Sequence, residues 1–84
     1  MNIRNNIVDY LYDKDYIITL YDDAIYIFNF TYLNSFSDTR ITVSIKNRTL
    51  NIVGSNLTIT KITKEELLVK GHITDLGIEY KNEH

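Results

Sequence analysis

The sequence predicts a mainly β protein: a short N-terminal helix followed by a small antiparallel β-meander or compact β-sandwich. Two observations carry this. Apolar residues alternate with polar ones through Arg40-Ile-Thr-Val-Ser-Ile-Lys46 and again at Leu50/Ile52, Leu57/Ile59 and Leu67/Val69, the period of a strand with one buried face. Short turn-forming clusters separate these runs. They are too short for the crossover of about a dozen residues that parallel neighbours require, so consecutive strands pair antiparallel.

Ile3, Ile7, Tyr10 and Leu11 gather on one side of a short helix over residues 1–12, with Asn2 as its N-cap. So short a helix exists only if it docks on the rest. Asp13-Lys14-Asp15 is a polar junction, and the β region runs from 16 to 80. Tyr16–Tyr21 and Ala24–Phe30 are strands flanking Asp22 and Asp23, whose side chains bond their own backbone in a tight turn. Residues 31–39 form a polar connection anchored by Leu33 and Phe36. Further turns are expected at Lys46-Asn47, at Gly54-Ser55, over Thr63–Glu66 and at Gly71. The apolar parity shifts between Ile73 and Leu76. A strand that keeps Leu76, Ile78 and Tyr80 on one face therefore needs an extra residue, a β-bulge, near Thr74 or Asp75. Residues 81–84 read as a solvated tail. A rival organisation is a β-solenoid, because Ile41, Leu50, Ile59 and Leu68 recur every nine residues; the repeat fails where Val43 and Ile52 are followed by Lys61.

An 84-residue chain without cysteine is expected to be one domain with a modest core and no disulfide, thiol nucleophile or cysteine metal site. Nine Lys and Arg against eleven Asp and Glu leave little positive field for phosphates, so nucleic acid is not an expected partner. No run approaches the roughly 18 apolar residues of a membrane span, and the start Met-Asn-Ile-Arg-Asn-Asn lacks a signal-peptide core. The triplets at Asn29, Asn47 and Asn56 accordingly read as Thr-rich strand sequence, not as glycosylation sites.

The residues that can carry chemistry do not assemble into a site. His72 would need an orienting carboxylate and a nucleophile, and His72, Asp75, Glu79 and His84 have no recognised metal spacing. Asp22-Asp23 and Glu65-Glu66 are adjacent carboxylates in turns, which rarely aim at one substrate. The outward rows Thr42/Ser44, Thr49/Asn51 and Thr58/Thr60 suit a solvated β face. No catalytic residue, cofactor or metal ligand is therefore expected. What stands out is an excess of apolar residues: Ile17, Tyr21, the alternating row Tyr26/Phe28/Phe30, Val53, Ile62 and Leu68 exceed what one small core buries. Docking of a protein partner or homo-oligomerisation would cover them, with Tyr26, Phe28 and Phe30 as the candidate interface.

The ordered set Leu50-x-Ile-x-Gly54-x-x-Leu57-x-Ile59, then Glu65-Glu-Leu67-x-Val69-x-Gly71-x-Ile73 and a closing apolar strand, resembles the YabP/YqfC family of small sporulation proteins. Ile18-Thr-Leu20 and Ile25-x-Ile27 correspond to that family's first hairpin, and the resemblance spans Ile3 to Tyr80. Tyr16 stands where the family has a proline, Asp22-Asp23 where it has a turn glycine, and Lys46-Asn47 where a glycine enters the Leu50 strand. The resemblance implies a cytoplasmic mother-cell protein made during endospore formation in Firmicutes, linked to spore coat or envelope development. It implies a non-enzymatic role, without cofactors, and membrane-proximal assembly beside a sporulation membrane protein. A structural or adaptor domain outside sporulation is the alternative.

Overall fold

The computed structural model describes residues 14–80, and six strands form there: β1 Ile17–Leu20, β2 Ala24–Phe28, β3 Tyr32–Phe36, β4 Arg40–Ile45, β5 Arg48–Ile62 and β6 Glu66–Tyr80. The expected helix over 1–12 and tail over 81–84 lie outside the described residues. All pairings are antiparallel, in the order β1-β2-β6-β5-β4-β3. This ladder rules out the solenoid, whose coils would stack in parallel. β3 to β6 are consecutive neighbours, and the β1–β2 hairpin adds to the far side of β6. The connection Asn29–Thr31 carries the chain from one side of the sheet to the other.

β5 and β6 are 15 residues each, and they make the fold. β4 pairs with Arg48–Val53, while β2 pairs with Glu66–Lys70 at the opposite end of the same hairpin. The inner faces of both halves carry fully buried side chains: Ile25 and Ile27, Leu67 and Val69, Ile41, Val43 and Ile45, Leu50 and Ile52, joined in one cluster with Phe30 and Leu57. Ile25 and Ile27 of β2 share that cluster with Ile41, Val43 and Ile45 of β4, from the other side of the β5–β6 hairpin, so the sheet folds over on itself, with β5 and β6 bending where their ladder slips, as strands do at the corner of a sandwich.

The corner sits where the sequence predicts two turns, and its chemistry differs from that expectation. No chain reversal occurs at Gly54-Ser55 or at Gly71, because β5 and β6 run through these positions. The ladder instead slips between Val53/Gly54 and between Ser55/Thr58. Gly54 does not take a positive φ; Asn56 does, at 54°. What Gly54 provides is room: a Cβ there would strike the carbonyl oxygen of His72 and lie 3.1 Å from Ile73 Cα. Gly71 combines both reasons, with φ at 144° and a virtual Cβ 2.7 Å from the carbonyl oxygen of Asn56. The bulge expected near Thr74 is present, since Val53 pairs with Asp75 and Gly54 with Ile73, which leaves Thr74 as the unpaired residue.

Asp22 and Asp23 lie between β1 and β2, where Tyr21 N–H donates to Ala24 O at 2.8 Å and Asp23 O accepts from Gly71 N–H at 2.9 Å. Asn47 lies in the β4–β5 turn, but the left-handed residue of that turn is Lys46, φ 51°. Thr63 organises the β5–β6 turn: its hydroxyl oxygen accepts from the N–H groups of Glu65 and Glu66 at 3.2 and 2.9 Å. Leu33 packs on the core, whereas Phe36, expected as a second anchor, is 67% exposed at the end of an edge strand.

Candidate functional site

The alternation of β2 decides which side chains leave the core. Ile25 and Ile27 pair with Val69 and Leu67 on the inner face, so Tyr26 and Phe28 project from the outer one. Register completes a contiguous row there: Tyr26 sits between Thr19 and Leu68, and Phe28 between Ile17 and Glu66. Ile17, Tyr26, Phe28 and Leu68 are all half-buried.

Phe30 does not belong to this row. Asn29 adopts φ 64°, a conformation that asparagine tolerates, and its Nδ2 donates to Asp15 O at 2.5 Å. That single left-handed residue breaks the alternation and turns Phe30 into the core, where it is 9% exposed. The three aromatics expected on one face are thus divided into two outside and one inside.

The row has a charged rim. Tyr26 Oη donates to Glu66 Oε2 at 2.6 Å, and Lys61 Nζ lies 3.2 Å from Glu66 Oε1. The phenol proton and the ammonium hold the Glu66 carboxyl below its usual range. The same hydrogen bond, with burial and the carboxylate charge, pushes the Tyr26 phenol up to about 12. The hydrogen bond thus favours the ionised carboxyl and the neutral phenol, and ties the Tyr26 hydroxyl to Glu66. A shallow groove lined by Phe28, Thr63, Lys64, Glu65 and Glu66 adjoins the row. Apolar centre and polar rim together have the anatomy of a binding patch.

The polar candidates are not brought together. His72 lies opposite Ser55, Asp75 opposite Val53 and Glu79 opposite Thr49, all exposed, and His84 is outside the described residues. Among the described residues no three His, Asp or Glu side chains converge as metal ligands. Asp22 and Asp23 are exposed turn residues. Of the polar outward rows, Thr42 Oγ1 donates to Asn51 Oδ1 at 3.1 Å, and Ser44 is buried beneath the β3 bulge, donating to Asn34 Oδ1 at 3.0 Å. No described helix is long and apolar enough to cross a membrane.

One cluster has no counterpart in the sequence reading. Arg48 donates from Nη1 to Tyr16 Oη at 2.7 Å and from Nη2 to Tyr80 Oη at 2.9 Å, with its guanidinium 4.5 Å from the Tyr80 ring centre. Its partners are 32 positions away in each direction, so no local pattern announces it.

No curated protein and no solved structure shows a significant match to the chain. A family model does: residues 13–84 match that of the YabP family. That span contains every strand, the corner with its glycines and the outer row, and on this match the chain belongs to the YabP family.

Proposed function

We propose that this YabP-family chain is a non-enzymatic, sporulation-associated interaction protein that docks a protein partner on its outer row and serves as an assembly component in spore coat or envelope development. The observation that carries the reading is the row itself. Four apolar side chains on the outer face of one layer serve no core that the described strands enclose, and Glu66 and Lys61 border them. Family membership supports the setting: a mother-cell protein, cytoplasmic and membrane-proximal, acting beside a membrane protein of sporulation. A homo-oligomer formed through the same row, or an adaptor outside sporulation, would use the same chemistry with a different occupant.

Phe28→Asp tests it. Phe28 is half-buried on the outer face, so a carboxylate there spoils docking while the fold survives. Affinity capture from expressing cells is expected to lose specific partners with Phe28→Asp while circular dichroism stays native. Phe30→Asp, by contrast, buries a charge in the core and unfolds the domain. Unchanged capture by folded Phe28→Asp would defeat the outer-row reading.

A further inference from the structure

β6 is paired with β5 along nearly its whole length, but with β2 only from Glu66 to Lys70. Beyond Gly71, whose N–H still donates to Asp23 O, one side of β6 is an open sheet edge among the described residues. Within this edge, Gly77 has no internal reason to be glycine. It is not at positive φ, and a Cβ built there would meet nothing within 4 Å. A glycine inside a strand weakens it relative to alanine, through lost chain entropy and a missing side chain. It also marks places where another chain comes close.

Its surroundings say what comes close. Asp75 and Glu79 flank Gly77 on the same face, both exposed and without a cationic partner among the described residues. On the opposite face Ile78 and Tyr80 are 47% and 73% exposed, although register aims Ile78 toward the inner side, opposite Leu50. Asp75 Oδ1 accepts the Leu76 N–H at 3.0 Å, so in the free protein a carboxylate guards this part of the edge.

We propose that the β6 edge from Asp75 to Glu79 receives an extended segment of a protein partner in which an aromatic residue is flanked, two positions away on each side, by Lys or Arg. Pairing as an added strand sets the aromatic ring over Gly77 and the two cations opposite Asp75 and Glu79, while the intervening apolar residues cover Leu76 and Ile78. A cation drawing the Asp75 carboxylate outward frees the Leu76 N–H for the incoming carbonyl. A second copy of this chain does not fit. Antiparallel self-pairing centred on Gly77 sets Asp75 against Glu79 twice, and no two Lys or Arg in the chain are four residues apart. This edge is separate from the Tyr26–Phe28 row, so either surface can fail its test without the other.

The probe is a heptapeptide, Thr-Lys-Val-Tyr-Val-Lys-Thr, titrated into the full isotope-labelled chain, with a control carrying Glu in place of both Lys. The basic peptide is expected to shift the Asp75–Tyr80 amides and slow hydrogen exchange at Leu76 and Ile78. It should bind at least about tenfold more tightly than the acidic one, a margin that narrows with added salt. Gly77→Thr should keep or raise the melting temperature and weaken the basic peptide by about tenfold, because its side chain occupies the space reserved for the ring. Three results would overturn the proposal: no binding of the basic peptide or equal binding of both, binding unchanged by Gly77→Thr, or edge amides already protected in the free chain, which would show a resident occupant.

Discussion

Gly54 and the Tyr26–Glu66 pair show how single residues set the limits of this domain. The obstacle at Gly54 is backbone, the His72 carbonyl, which cannot rotate aside as a side chain would. Gly54→Ala is therefore expected to cost about 2 kcal/mol as an overpacking defect, read from urea unfolding. Wild-type stability in that variant would refute the close-approach account. At Tyr26 and Glu66 the physics is linkage. Glu66 has its folded pKa below the ordinary 4.5, so its contribution is complete above that value and fades as pH falls through the folded one. Tyr26 is raised from 10.0 to about 12, so its contribution is complete below pH 10 and fades as pH rises toward 12. Tyr26→Phe should flatten both limbs of the stability profile, the acid one below pH 4.5 and the alkaline one between pH 10 and about 12, and lower the plateau between them without tilting it. A profile that keeps its wild-type slopes would assign the limbs to other groups. The carboxylate–phenol pair was not legible in the sequence, because its partners stand 40 positions apart. Two asparagines of the N-x-T triplets, Asn29 and Asn56, were visible but misread as plain strand. They hold left-handed conformations at a crossing and at the corner, whereas Asn47 sits in the turn expected at Lys46-Asn47.

At the scale of the element, β6 demonstrates what periodicity can and cannot disclose. The parity break between Ile73 and Leu76 located the bulge, because one unpaired residue is the least change that returns Leu76 and Ile78 to the face of Ile52 and Leu50. The same reasoning placed Ile41, Val43, Ile45, Leu50, Ile52, Leu67 and Val69 inside, and all seven are buried. It erred at Gly54 and Gly71, since a glycine between two apolar runs looks alike whether the chain reverses or bends. Only the partner strand distinguishes them: β5 and β6 each need a flexible point at the same level, and Gly54 faces Ile73 while Gly71 lies against Asn56 and Leu57. Deleting Thr74 tests the bulge directly. Asp75 would then follow Ile73 directly, still opposite Val53, and Leu76 and Ile78 would stay opposite Ile52 and Leu50 on the inner face. A cooperative unfolding transition is the expected result, its midpoint lowered only by what the local bend contributes. Loss of that transition would mean that Thr74 does more than restore the parity.

At the scale of the whole molecule the question is what keeps a self-covering sheet closed. The shared core supplies most of the attraction, but the two layers also meet at a polar latch away from the corner. Lys46 pairs with Asp15, and Arg48, at the start of β5, holds Tyr16, which leads into β1, together with Tyr80 at the end of β6. The Lys46–Asp15 pair is solvent-exposed on both sides, so it contributes little. Arg48 differs because one planar group serves two phenols and lies over a ring, an arrangement that a lysine, with its compact ammonium, does not reproduce. Arg48→Met keeps an apolar stem and removes the fork, for an expected loss of about 1–2 kcal/mol. The effect should be local before it is global: among the described strands β1 pairs with β2 alone, so with the latch gone its Ile17–Leu20 amides should exchange faster while the β4–β5 amides follow the global stability. Arg48→Lys is expected to behave like Arg48→Met in this exchange pattern. Full rescue by lysine would show that charge alone, without the fork, closes the two layers.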